Sequence, residues 1–289
     1  MIITKLRLQE EHPMSSAGGS WPLPVCDLVV DPSAGENGYI LEDSQGLDPP
    51  DFVEIVEGYD VAGIPIMSNV PQKRQIVLKI GLSPRLGQSF SSLRDALYRF
   101  ISRNVYIKFM NDALVTAQTT GHVSKCETVS FTAQPQITMT IDCVDGELSA
   151  PYSFAIPLTT LVGTTGIAIN YEEGTAPTGL DLQFIITATA DGFNISNYVQ
   201  TWYNGVSALN QFGISYEFLV GDVITISTQP RNRSLSVVRA GVKKDLAGYI
   251  NQGAVWPRLY PGVNIFDWTF ASSWMTWNSA SYVPRYWGV

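Results

Sequence analysis

Short runs in which apolar and polar residues alternate with a period of two recur along most of this chain. They limit what it can fold into more than any other feature. "QIVLKIGL" (75–82), "NVYIKFM" (104–110), "VSFTA" (129–133), "QITMTIDC" (136–143), "LQFIITAT" (182–189), "VITISTQ" (223–229) and "SLSVVRA" (234–240) all follow this pattern. Alternate positions share one face only in an extended chain, so each run reads as a half-buried strand. Asp191-Gly192, Gly221-Asp222 and "QPRNR" (229–233) supply turns between them. The expected fold class is mainly β, a sandwich or barrel. One segment departs from the period: in "SSLRDALYRFISR" (91–103), Leu93, Leu97, Phe100 and Ile101 fall on one face of an α-helix, with Ser92 and Asp95 spaced as a capping box. A single helix laid on a sheet is predicted.

Charge is distributed unevenly. Residues 31–60 contain nine acids and no Lys or Arg, residues 73–108 contain eight bases and one acid, and residues 126–230 contain ten acids and no base. A base-free stretch cannot neutralise a phosphate backbone, which excludes sequence-specific nucleic-acid binding there. It is equally unsuited to an anionic membrane surface. No apolar run approaches the roughly 20 residues that span a bilayer, and the first residues, "MIITKLRLQEEHP", show no secretory pattern, so folding in a cytoplasm is expected. Cys26, Cys126 and Cys143 are odd in number and form no C-x-x-C pair, which points to plain thiols.

The composition changes over residues 145–155, and Pro257 and Pro261 force extended geometry near the end. These features divide the chain into residues 1–147, 148–255 and 256–289. The last segment holds five of the seven tryptophans, Trp256, Trp268, Trp274, Trp277 and Trp287. Aromatic side chains offer large apolar areas for burial, so such a tail docks on something. Within "IFDWTF", Phe266, Trp268 and Phe270 share one face, as in a half-buried strand.

Chemistry is sparse. The two histidines, His12 and His122, lie in no nucleophile signature, and no metal-ligand spacing or phosphate-cradling glycine motif occurs; no cofactor is expected. Glycoside hydrolysis asks only for two carboxylates and aromatic walls. Glu172, Glu173, Glu217 and Asp222 are the candidates, with Tyr198, Trp202 and Tyr203 as stacking surfaces. Both pairs of acids sit in turn-like sequence, and aromatic residues in a β domain more often serve packing.

The order of several segments resembles a known family. "YILEDSQGLDPP", then "QKRQIVLKI", "LRDALYRF", "VYIKFM" and "GHVSKCETVSFT", followed by "INYEEGTAPTGLDLQFI", "LVGDVITISTQPRNRSLSV" and "WPRLYPGVNIF", is similar to the distal tail (Dit-like) proteins of long-tailed bacteriophages. The resemblance implies a non-enzymatic virion protein of siphovirus-type tails. Residues 1–147 would be a ring-forming β domain with one helix, and residues 148–255 a galectin-like β-sandwich. The implied partners are further copies in a hexameric ring, the tail tube protein, the tail-tip hub protein and receptor-binding proteins, with genomic DNA passing through a lumen. The histidine-containing sugar signature of true galectins has no counterpart after His122, which leaves saccharide binding by the second domain without support. A tail tube or other tail structural protein is the second reading, and a carbohydrate-binding module or glycosidase the third.

Three expectations follow. Ring closure would join an acidic patch, Asp48, Asp51, Glu54 and Glu57, to a basic one, Arg94, Arg99 and Arg103, on a neighbouring copy. Residues 256–289 would return to the N-terminal domain, with Trp256, Phe266, Trp268 and Phe270 locking the domains together. Trp274 and Trp277, in loop-like sequence, would contact a partner.

Overall fold

The computed structural model describes residues 3–10, 25–30, 38–59, 65–129, 135–161, 166–199, 209–230, 232–268 and 275–288; of residues 25, 54–59, 65–70, 129, 198, 199, 209 and 210 it describes the backbone alone. The chain divides into two compact units, Met1–Pro151 with Tyr286–Val289, and Tyr152–Arg285.

The first unit is built from β1 (Lys5–Glu10), β2 (Val25–Val29), β3 (Tyr39–Gln45), β4 (Phe52–Tyr59), β5 (Pro65–Pro71), β6 (Gln75–Leu82), α1 (Phe90–Tyr98), β7 (Asn104–Asn111), β8 (Leu114–Val129), β9 (Gln136–Cys143) and the short β10 (Leu148–Ser149). Seven strands close on themselves in the order β8-β7-β1-β2-β3-β6-β9, with β9 pairing back to β8. Closure removes the free edges that an open sheet would present. Alternation explains the interior: Leu6 and Leu8, Ile76, Leu78 and Ile80, and Ile137, Met139 and Ile141 are fully buried. Between them, Lys5 and Arg7 reach the Asp27 carboxylate on β2 at 3.1 and 2.6 Å. The hydrogen bond from Arg7 is the main reason this carboxyl lies below its ordinary range. β8 serves two neighbours, β7 through its first half and β9 through its second. Its register against β9 shifts between Val123 and Lys125, and at Gly121 a Cβ would stand 2.7 Å from Ile141 Cγ2.

The helix forms one turn earlier and ends earlier than its periodicity suggests. Ser89 is the N-cap, and the capping box joins Ser89 to Ser92 rather than Ser92 to Asp95: Ser89 Oγ accepts from the Ser92 amide at 3.1 Å, and the Ser89 amide donates to Ser92 Oγ at 3.0 Å. Leu93, Leu97 and Phe100 are buried as expected, but Ile101 is exposed. The helix stops at Tyr98 because the chain must turn into β7, which it does through Ser102 at φ 58°. Tyr39, on β3, fastens the helix by donating to the Leu93 carbonyl at 3.0 Å, and burial raises its phenol to about 12.

The second unit packs two sheets around one core, a β-sandwich. One sheet runs β11 (Phe154–Ala155), β20 (Met275–Tyr282), β13 (Leu180–Ile186), β16 (Val223–Ser227), β17 (Ser234–Arg239), β18 (Val242–Asp245). The other runs β12 (Ile167–Tyr171), β19 (Gly262–Trp268), β14 (Phe193–Val199), β15 (Leu209–Ile214). Ile169, Phe184, Ile195, Phe212, Ile224 and Val237 from both sheets share that core. Among the described residues no helix is long and apolar enough to cross a membrane.

The tail expectation is corrected here. Phe266 and Trp268 do occupy one buried face, but β19 pairs with β12 and β14, inside the second unit. Trp256 packs on Phe212 of the same core at a ring separation of 4.8 Å. These aromatics complete the sandwich to which residues 152–255 contribute the other strands. Only Tyr286–Val289 belong to the first unit. Alternation shows that a strand buries one face; it does not say which sheet receives it.

Candidate assembly surface

The carboxylates proposed for hydrolysis are dispersed or committed. Glu172 and Glu173 are exposed after β12, and Glu173 accepts from the Tyr282 hydroxyl at 2.5 Å. Asp222 is buried and pins its turn: Arg239 Nε and Nη2 donate to its two oxygens at 2.9 and 2.6 Å, and the Leu219 amide donates at 2.9 Å. Arg239 also donates to the Glu217 carbonyl at 2.8 Å. A carboxylate held in this way is a structural anion. The Tyr198 side chain and all of Trp202 and Tyr203 lie outside the described residues, as does His12. His122 is exposed, its Nδ1 3.3 Å from Asn104 Oδ1. Cys26, Cys126 and Cys143 are free thiols, and burial pushes all three up, Cys126 and Cys143 to about 11.

The Arg239 hydrogen bond is the largest cause holding the Asp222 carboxyl below the ordinary value of 3.8. Its stabilisation is therefore complete above that value and is lost as pH falls through the lower folded-state value. Asp222→Asn should cost the second unit about 1 to 3 kcal/mol at pH 7. The melting-temperature gap between variant and parent should narrow below about pH 4; a gap independent of pH would rule out this role for the charge.

The charged patches separate into used and unused groups. β3 and β6, drawn from the acidic and basic stretches, are hydrogen-bonded neighbours, and Asp43 meets Lys79 at 3.3 Å. Part of the charge polarity is thus satisfied inside one subunit. Arg94 meets its own neighbour Asp95 at 3.3 Å and lies over the Tyr98 ring, Arg103 meets Glu10 at 2.9 Å, and Arg99 is exposed. All these pairs are at least partly exposed, where an ion pair contributes little and exchanges partners readily. Asp48 and Asp51 are exposed, while their carbonyls are tied down by Arg74 Nη1 at 2.9 Å and the Gln72 amide at 2.8 Å. Glu54 and Glu57 lie on β4, and their side chains are outside the described atoms. Trp274 and Phe270 are outside the described residues as well. Trp277 is on a strand, β20, and its ring packs edge-on against Phe184 at 5.4 Å, so the loop-contact expectation for it gives way to a packing role.

Two features escaped the sequence reading. β4 and β5 form a two-stranded ribbon, from Phe52 opposite Pro71 to Tyr59 opposite Pro65, and pair with no other described strand. Phe52 and Val53 at its base are 46% and 40% exposed. A two-stranded ribbon alone is marginally stable in water, and this one has two unpaired edges among the described strands. The alternation in "FVEIVEGY" was the available signal. The second feature is Arg74, whose guanidinium is buried with all five N–H groups directed at carbonyls. Gly146 receives two at 3.1 and 2.9 Å, Gly46 one at 2.6 Å, Asp48 one at 2.9 Å, and Trp287 one. Nothing in "QKRQ" distinguishes this arginine from its neighbours.

A closed barrel with one helix, joined to a β-sandwich that its own C-terminal strands complete, defines a two-unit, mainly β protein with a Dit-like fold. The solved structure of the SPP1 Dit (gp 19.1) protein, described as a paradigm of the hub adsorption apparatus in phages infecting Gram-positive bacteria, is similar at a TM-score of 0.56 and 10% identity, over 86% of this chain and 93% of that one. Two structures of the phage p2 baseplate in its activated conformation, with strontium and with calcium, align at a TM-score of 0.40 and 9% identity over 97% and 99% of this chain. No protein-family model and no curated protein matches the sequence.

Proposed function

We propose that this chain is a structural connector at the distal end of a phage tail, in the virion's adsorption apparatus. Six copies form a ring through their first units, join the tail tube to the tail-tip and receptor-binding proteins, and leave a lumen for DNA; the ring is assembled in the host cytoplasm. The observation that carries this reading is the fold likeness to the SPP1 Dit protein, which spans both units and nearly the whole of each chain. A tube subunit needs no second unit of this size. The free ribbon gives the first unit an element that a neighbouring copy can complete, and the arrangement is heterologous, as ring closure requires. Arg94, Arg99 and Arg103 on one side and Asp48, Asp51, Glu54 and Glu57 on the other are the charged groups assigned to that contact.

Light scattering across a range of salt tests the reading. The expected species is closed, near six times 31.7 kDa, and loosens as salt rises. Replacing Arg94, Arg99 and Arg103 together by Glu should shift it towards monomer at low salt without unfolding the subunit, because the intrasubunit pairs that are lost are weak. A monomer at every salt would count against the ring, and open polymers of variable length would favour a tube protein.

A further inference from the structure

We infer that Tyr286, Trp287 and Gly288 are the footing of the β4–β5 ribbon, and that the joining of copies through the ribbon depends on them. The second half of this inference rests on the ring reading above; the first half does not. A two-stranded ribbon by itself is marginally stable in water, so its direction is set by whatever holds its base. Both arms of this base are backed by other residues of the first unit. On the incoming arm, Gly288 lies so close that a Cβ there would stand 2.9 Å from the Leu47 carbonyl oxygen and 3.2 Å from the Pro49 nitrogen. At the first residue of β4, the Phe52 ring meets the Trp287 ring edge-on at 4.9 Å. On the outgoing arm, a Cβ on Gly146 would stand 2.4 Å from the Gln72 carbonyl oxygen and 3.2 Å from Pro71 Cβ. The Gln72 amide closes the base by donating to the Asp51 carbonyl at 2.8 Å.

The footing is itself anchored. Arg74 joins its two sides by donating to the Gly146 and Trp287 carbonyls, and Tyr286 packs against the barrel core. Asp48 and Asp51, two of the acids assigned to the neighbouring copy, stand on the same base, so whatever fixes the ribbon fixes them as well. Association is weakened by the entropy of ordering loose elements at the contact, and an element already held in one direction avoids that loss. A ribbon with two unpaired edges among the described strands is such an element. The chain reaches Tyr286 only after passing through the second unit, so residues 1–151 by themselves would carry the ribbon without its footing. Presentation of the ribbon to a neighbour is thereby tied to the presence of the residues that follow the sandwich.

Hydrogen exchange and light scattering on full-length Trp287→Ala and Trp287→Phe test the two halves separately. Trp287→Ala keeps the carbonyl that Arg74 holds and removes the ring that Phe52 meets. Exchange at residues 53–59 and 66–70 is expected to accelerate by about tenfold or more, with β8 and β9 as protected as in the parent. The mass should fall from the ring towards the monomer. Trp287→Phe, which keeps an aromatic ring against Phe52, should recover most of both effects. Unchanged exchange in the ribbon of the Trp287→Ala variant would overturn the footing, whatever the mass does. Accelerated exchange with the ring intact would overturn the dependence of assembly on the footing and leave the ring reading standing. A parent protein that is monomeric at every salt would sink the ring reading and the assembly half with it, while exchange would still decide the footing.

Discussion

Ending the chain after Val263 should unfold the second unit and leave the barrel folded. β19 lies between β12 and β14, and β20 lies between β11 and β13, so the tail supplies an internal strand to each sheet of the sandwich. Removing it leaves four strands without one of their hydrogen-bonded neighbours and takes Phe266, Trp268, Met275, Ala280 and Tyr282 out of the core. Phe266 is fully buried, and Phe266→Ala by itself should cost the second unit about 3 to 5 kcal/mol. That is a large share of the roughly 5 to 15 kcal/mol that a domain has in total. The seven barrel strands all lie between Lys5 and Cys143, so their pairing survives the truncation. Calorimetry should show one transition lost and one retained, the retained one lowered by the loss of the Trp287 contact, and limited proteolysis should spare the barrel. A truncated protein whose second unit still melts cooperatively would show that the two sheets can close without the tail.

The local character of the tail was legible in the sequence, and its destination was not. Phe266 and Trp268 mark a strand with one apolar face, since period two follows from backbone geometry alone. Partner choice depends on which sheet has a gap of matching length, and that is a property of the assembled unit. The same division holds elsewhere. The runs at 75–82 and 136–143 were readable because the barrel buries one face of each. The helix was readable from Leu93, Leu97 and Phe100, but its ends shifted because Ser89, not Ser92, lies where a hydroxyl can meet the free amide of the first turn. The charge polarity of the first half was visible, yet the sequence could not say that Asp43 and Lys79 would face each other within one barrel. Arg74 left no trace in any periodicity, because its partners come from two distant segments and the C-terminal residues.

Arg74→Met is expected to lower the stability of the first unit by about 3 kcal/mol or more, because several buried carbonyls lose their donor at once. Arg74 is 4% exposed, and its guanidinium spans carbonyls at Gly46, Asp48, Gly146 and Trp287. Burial lowers its pKa, so the site bears a desolvation cost that the converging carbonyl dipoles offset. Methionine fills much of the volume but donates nothing, and each carbonyl left buried without a donor costs on the order of 1 to 3 kcal/mol. Lysine offers three donors on a point charge where five on a planar fork are in use, so Arg74→Lys should recover only part of the loss. The effect should be strongest at the C-terminus. Trp287 is held by this bond and by the edge of Phe52 at a ring separation of 4.9 Å, and Gly288 lies close to the 47–49 backbone. Hydrogen exchange at Tyr286–Gly288 and at residues 46–48 should accelerate together in the methionine variant, while β8 and β9 stay protected. Unchanged exchange at the C-terminus would mean that Phe52 and Trp287 hold the tail without help from Arg74. Unchanged melting would mean that water replaces the guanidinium at little cost.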